Sequence, residues 1–369
     1  MRALYLHIPF CTSRCSYCDF LSMVLPDEET AACYIRALLS EVALSAPLSP
    51  ETLYIGGGTP SVLGPGLWVE LLEGLGERVD FSLLREFTVE ANPETVDAEK
   101  ADIWKAYGVS RVSLGVQSFD DFVLVRWGRG ARKEDIIRAA GILGGFSLSI
   151  DLILGLQAVH GDGGADVFRD DLDRLAELAP ENCSVYMLTL YSRKLDFEFI
   201  PFADETYEKL YLSMVDFLES AGYEQYEISN FAKPGRESIH NIHYWMGHDY
   251  TGLGLGAVST HGDRRLKNTE DLDLYLSALE RGGEVPGEVE ILDPEIKLRE
   301  RIMLGLRTRA GVPVSLLEEL HGPEDGWRET AGMLAGQGLA RLEEGRLALT
   351  PRGLLRSTSI CAELWGHVA

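Results

Sequence analysis

This 369-residue chain is short of cysteine and of positive charge, and it holds no long apolar run. Lys and Arg number 34 against 58 Asp and Glu, so the net charge is −24. Binding to nucleic acid or to an anionic membrane draws on a surplus of cations, which this chain lacks as a whole. No stretch approaches the roughly 18 apolar residues of a spanning helix. The start shows no signal-peptide pattern, because an apolar strand, Ala3 to Ile8, leads straight into a polar loop. No internal repeat or low-complexity segment stands out. With 46% hydrophobic residues the chain can bury a large core, and its length suits two or three domains.

Of only six Cys, three fall in one run: Cys11-Thr-Ser-Arg-Cys15-Ser-Tyr-Cys18. Cys33, Cys183 and Cys361 are scattered and outline no disulfide framework, so a reducing cytoplasm is expected. Pro9 ends the first strand, and a short loop can then point three sulfurs at one centre. Thiolates select zinc, copper(I) or iron–sulfur clusters. Ordinary electron-transfer clusters are closed by four Cys. Three Cys would leave one iron of a [4Fe–4S] cube open, as catalytic metal sites keep one position free. Two alternatives stand beside this. One is a Cys3His zinc site with His7 as fourth ligand, although zinc usually takes Cys pairs two to four residues apart. The other is free thiols buried as small hydrophobes, which leaves their crowding in a polar loop unexplained.

From residue 1 to about 230, strands and helices alternate. Strands are expected at Ala3–Ile8, Thr52–Ile55, Glu86–Glu90, Arg111–Gly115, Leu148–Leu154 and Ser184–Leu190. Helical stretches lie between them, and six βα units in series imply a parallel sheet with helices outside. Closed or partly closed, that is a (β/α)6 barrel, whose sites gather at the C-terminal strand ends. Residues 294–369 read as a separate small α+β module, with helices, a hairpin turning at Glu344-Gly345 and a last helix opened by Pro351. Its outline is winged-helix-like. DNA binding is discounted, because the chain is acidic and no basic helix precedes the hairpin.

The polar residues fall at strand ends or on inward faces. Tyr5 and His7 share one face of the first strand. Gly56-Gly57-Gly58-Thr59 ends the second, where glycine permits positive φ and close approach of a ligand. Thr88, Glu90 and Asn92 share a face, Gln117 ends the fourth strand, and Arg129 follows a short helix. Asp151 lies inside an apolar strand. Burying it costs several kcal/mol unless it is paired, for which Arg129 is a candidate. His240, His243, His248 and His261 cluster further on. They are either hydrogen-bonded loop residues or haem ligands, since imidazole is the commonest axial ligand. The Gly-rich turn at Gly252, Gly254 and Gly256 is no dinucleotide fingerprint, because no βαβ unit surrounds it.

Taken together, these motifs resemble the radical S-adenosylmethionine (SAM) superfamily. His7-Ile-Pro-Phe-Cys11, Tyr17-Cys18-Asp19-Phe20, His240-Asn-Ile-His-Tyr-Trp245 and Leu349-Thr-Pro-Arg-Gly353 narrow the likeness. They are similar to the branch of oxygen-independent coproporphyrinogen III oxidases and HemW-type haem chaperones. The oxidases usually carry a fourth Cys two residues after the third; Phe20 stands there in this chain, which favours the chaperone side. The resemblance implies a partial (β/α)6 radical-SAM barrel over residues 1–230. It implies a connecting segment over 231–293 and a winged-helix-like C-terminal domain over 294–369. It implies a [4Fe–4S] cluster on Cys11, Cys15 and Cys18, and SAM held by Tyr5, Tyr17, Gly57, Gly58, Thr59, Glu90, Gln117, Arg129 and Asp151. His240 is implied as a haem ligand, with an apo-haemoprotein as acceptor and flavodoxin or ferredoxin as electron donor. The expected chemistry is one-electron cleavage of the sulfonium. The rivals are decarboxylation of coproporphyrinogen III and a radical reaction on an unrelated small molecule. The chain departs from the family pattern at Ala131, at Gln157-Ala-Val-His160 and at Tyr191-Ser-Arg-Lys194.

Overall fold

The computed structural model describes residues 2–190, 195–322 and 326–365, so Tyr191-Ser-Arg-Lys194 lies outside the described residues. Six strands form the core: β1 (Ala3–Ile8), β2 (Thr52–Gly57), β3 (Glu86–Ala91), β4 (Arg111–Gln117), β5 (Ser147–Leu154) and β6 (Asn182–Met187). They match the apolar runs in the sequence to within a few residues. All six pair in parallel, in chain order. Between them run helices α1 (Glu28–Leu44), α2 (Pro65–Arg78), α3 (Ala98–Ala106), α4 (Asp121–Arg126), α5 (Lys133–Ile142) and α6 (Gly164–Leu178). Several open on a carboxylate cap, with Asp27, Asp97 and Asp120 each accepting an amide of the first turn. Trp68 of α2 and Trp104 of α3 meet edge to face at 5.3 Å, both fully buried.

The sheet is open rather than closed. On its far side β1 pairs in parallel with Tyr250–Leu253, and antiparallel strands Val258–His261 and Arg264–Asn268 follow, with Gly287–Ile291 at the edge. Because the six central strands share one direction, their C-terminal ends share one rim. The inward face is polar by the period of two: Tyr54, Thr88, Glu90, Ser113, Ser149 and Asp151 alternate with buried aliphatic residues.

By compactness the chain divides into two units. One holds Met1–Pro201, Ser238–His240 and Asp249–Glu290; the other holds Phe202–Glu237, Asn241–His248 and Ile291–Ala369. In the second unit, helices Pro294–Leu306, Val314–His321 and Gly326–Gly336 precede a hairpin, Ala340–Glu343 with Arg346–Leu349. Glu344 and Gly345 at its turn have φ of 51° and 72°, as a tight two-residue hairpin turn requires. Val312–Pro313 adds a third strand. The core of this unit gathers Ile302, Leu306, Leu317, Trp327, Leu347 and Ile360. The helix expected from Pro351 is broken into Pro351–Leu354 and Ser357–Leu364. No helix among the described residues is long and apolar enough to cross a membrane.

Candidate cofactor site at the strand ends

A cavity of about 600 Å³ opens at the C-terminal rim of the parallel strands. Cys11, Cys15 and Cys18 line it from the loop after β1, and none of the three is in a disulfide. Gly57, Gly58 and Thr59 line it from β2, Glu90 from β3, Gln117 from β4 and Asp151 from β5, with Tyr17 and Arg129 completing the wall. Eleven of the thirteen residues marked in the sequence therefore converge; Tyr5 and His240 are not among the lining residues.

The loop is fixed by backbone bonds. Met23 N donates to Pro9 O at 2.8 Å, Leu25 N to Cys11 O at 3.0 Å and Ser16 N to Trp127 O at 3.0 Å. His7 takes part through its ring: Nε2 lies 2.9 Å from Leu21 O and Nδ1 lies 3.0 Å from the Tyr5 hydroxyl. Both nitrogens are thus engaged away from the sulfurs, so this conformation leaves His7 no place as a fourth zinc ligand. Burial lowers the His7 pKa, against the bond to Leu21 O. Tyr5 holds this histidine instead of lining the cavity.

The glycine run is a cradle. Gly57 has φ of 123°, and a Cβ there would meet the His7 ring at 2.7 Å. A Cβ on Gly58 would meet Phe10 O at 2.7 Å and Cys11 Sγ at 3.0 Å. Gly57 N donates to Glu90 Oε2 at 2.9 Å, and the Tyr54 hydroxyl donates to Glu90 Oε1 at 2.7 Å. Burial pushes the Glu90 carboxyl up to about 7, against these two bonds. Thr59 Oγ1 donates to Cys11 Sγ at 3.5 Å and accepts from Asn92 Nδ2 at 3.0 Å.

Arg129 is buried with its guanidinium 3.9 Å from Cys15 Sγ and 3.1 Å from Asn92 Oδ1, and it also donates to Gly115 O. Gln117 has φ of 73°, at an irregularity in the β4–β5 register that turns its amide to the cavity. Asp151 is not paired with Arg129. It accepts from Ser113 Oγ at 2.9 Å, with Ser184, Ser149 and the charge of Arg111 opposing the upward push of burial.

The donor set fits a cubane cluster with an open iron. Three thiols outside any disulfide share one cavity wall, two of them receive weak hydrogen bonds at sulfur, and the glycine cradle leaves room beside Cys11. Among the described residues, no group of three or more His, Cys, Asp or Glu is arranged to hold a single metal ion.

His240 lies at the opposite ends of these strands. It is 1% exposed, its Nδ1 is 2.8 Å from the hydroxyl of Thr52, the first residue of β2, and its backbone amide donates to Glu86, the first residue of β3. His243 and His248 face each other in the second unit, Nδ1 to Nδ1 at 3.1 Å, and His261 is 3.4 Å from Thr251 Oγ1. His240 and His261 belong to the first unit, His243 and His248 to the second.

Residues 5–159 match the family model described as the radical SAM superfamily, and residues 292–356 match the HemN C-terminal domain. The heme chaperone HemW of Bacillus subtilis is 30% identical over 383 residues, covering 100% of both chains. This chain belongs to the HemW family of radical SAM proteins. HemW of Escherichia coli is 37% identical over 72% of each chain, and that of Lactococcus lactis is 34% identical over 85% of this chain and 83% of its own. The fold agrees with the solved coproporphyrinogen III oxidase HemN of Escherichia coli, at a TM-score of 0.83 and 24% identity, covering 100% of this chain and 91% of that one. Membership of the radical SAM superfamily implies a [4Fe–4S] cluster and SAM.

Three contributors to the site were not singled out for a role from the HemW-like motifs. Asn92 closes the Thr88-Glu90-Asn92 face that period two marked, and the same period, which sets Tyr54 in step with Gly56 on β2, could have found Tyr54. Asp171 of α6 carried no such signal. It accepts from Ser118 Oγ, Phe119 N and Gln157 Nε2 between 2.6 and 3.0 Å, and so holds the ends of β4 and β5 behind Gln117.

Proposed function

We propose that this protein is a haem chaperone that carries haem to apo-haemoproteins in the cytoplasm. Cys11, Cys15 and Cys18 hold a [4Fe–4S] cluster in this reading. Tyr17, Gly57, Gly58, Thr59, Glu90, Gln117, Arg129 and Asp151 surround SAM, with Tyr5 acting through His7. In this reading residues 1–230 are a partial-barrel core, 231–293 connect and 294–369 form the C-terminal domain; by compactness Asp249–Glu290 joins the first unit and Phe202–Glu237 the second. When bound, the cluster and SAM supply one-electron chemistry, with electrons from a donor such as flavodoxin or ferredoxin. The chain's own residues orient the ligand and exclude water. Glu90 offers a carboxylate next to the glycine amides, Arg129 places a fixed positive charge beside Cys15, and the apolar cluster of Val123, Trp127, Ile153 and Leu156 backs Tyr17.

The observation that carries the chaperone reading is Phe20. It stands where the oxidases have their fourth Cys, is 73% exposed, and lines the cavity rim beside Cys18. Coproporphyrinogen III oxidation is the second reading, favoured by the fold shared with HemN over the full chain. His240 as haem ligand requires its ring, 1% exposed here, to become accessible. Anaerobic protein, reconstituted with iron and sulfide, is titrated with haem and then mixed with an apo-haemoprotein. Stoichiometric uptake and transfer are expected. Absence of haem uptake, or protoporphyrinogen IX formed from coproporphyrinogen III and SAM, would overturn the chaperone reading as the sole function.

A further inference from the structure

We infer that His240 is a positioning residue for the SAM pocket, acting from the far end of the strands through Tyr54 and Glu90. This rests on the reading that Gly57 and Glu90 hold SAM. The segment Ser238–His240 is pinned to the first residues of two strands. The Glu86 carboxylate accepts from Ser238 Oγ at 3.0 Å, Ile239 N at 2.9 Å and His240 N at 3.0 Å, while the ring meets Thr52 Oγ1 at 2.8 Å. Held at both backbone and ring, the imidazole lies against the Tyr54 ring with centroids 5.0 Å apart and planes 31° apart. The Tyr54 hydroxyl then takes one Glu90 oxygen at 2.7 Å, and the other oxygen takes Gly57 N at 2.9 Å.

Gly56 makes this column possible. A Cβ there would meet Tyr54 Cε1 at 2.7 Å and Glu90 Cδ at 2.9 Å, so only a glycine lets the ring reach the carboxylate. Glu90 is thus held by one fixed partner from below and one from the glycine loop above. Without the imidazole, the Tyr54 ring loses its support and the hydroxyl loses its aim. A ligand that took the His240 imidazole would have the same effect, and by linkage SAM would weaken that ligand in equal measure.

The test measures SAM affinity by calorimetry on the full chain, anaerobically reconstituted, with cluster absorbance recorded for every variant. His240→Ala and Tyr54→Phe are each expected to weaken SAM binding by about three- to tenfold, the value of one aromatic pair or one hydrogen bond, with the absorbance unchanged. His240→Phe keeps a ring against Tyr54 and is expected to restore affinity to within about twofold. Tyr54→Phe conserves shape, so the prediction stands even if His240→Ala fails to fold. Wild-type affinity in Tyr54→Phe, or in His240→Ala, overturns the inference while loss of binding in Gly57→Val leaves the pocket reading intact. His240→Phe as weak as His240→Ala overturns the route through the ring. Wild-type affinity in Gly57→Val overturns the pocket reading itself.

Discussion

Gly57 is a position with no room for a single added methyl group. Its φ of 123° is strained for any L side chain, and a Cβ would strike the His7 ring at 2.7 Å. Gly57→Val is therefore expected to abolish SAM binding while the brown absorbance of the reconstituted cluster persists, as equilibrium dialysis and visible spectra would show. Cys15→Ala is expected to do the reverse in origin: iron content and absorbance fall together, measured on protein purified without oxygen. Glu90 sets a pH dependence. It is faced by Tyr54 on β2 and Asp151 on β5, with Tyr5 and His7 on β1 and Arg111 near Asp151. Its folded pKa of about 7 exceeds the ordinary value of 4.5, so the native state binds more protons than the unfolded one between those values. Stability from this group is full below the lower value and declines as pH rises through about 7. Affinity for the cationic sulfonium should run the other way and tighten as Glu90 ionises. Glu90→Gln is expected to flatten both profiles, read by urea denaturation and by SAM titration between acid and alkaline pH. These residues were legible because rare types fell at strand ends. The partners of Asp151 were not: the sequence offered Arg129, but Ser113 and Ser184 of the two neighbouring strands meet it, a register effect that no local pattern encodes.

At the scale of elements, the strands were readable because buried aliphatic residues recur along them, alternating with the polar residues of the inward face. The ends of the elements are less so. The bend after β4 depends on Asp171, which lies 53 residues beyond Ser118 and meets it only in the fold. Asp171→Ala would leave the Ser118 hydroxyl, the Phe119 amide and the Gln157 amide without their acceptor. A loss of about 3 kcal/mol in unfolding free energy is expected, seen as a lower urea midpoint, with weaker SAM binding as Gln117 loses its placement. A midpoint equal to wild type would mean that the α6 contact carries nothing. The departure at Gln157-Ala-Val-His160, visible in the sequence as a broken pattern, has a structural role here. Gln157 accepts from Gly155 N and donates to Asp171, and His160 lies 3.1 Å from Asp120, the cap of α4.

Across the whole molecule, one rim gathers what composition and motif spacing had marked, and the far end of the same strands holds His240. The separation of the two could not be read from the sequence, because spacing along the chain says nothing of which end of a sheet a later segment reaches. It follows that the cluster at the rim keeps its metal content in variants of the His240 end, even where SAM affinity changes through Tyr54 and Glu90. The most direct test of the central claim is electron paramagnetic resonance of the anaerobically reconstituted, reduced protein with and without SAM. A signal of a reduced [4Fe–4S] cluster that shifts on adding SAM, and that vanishes in Cys15→Ala, is the outcome expected for an iron left open by three thiolates. A spectrum indifferent to SAM, or a site that takes up zinc in place of iron, would contradict it.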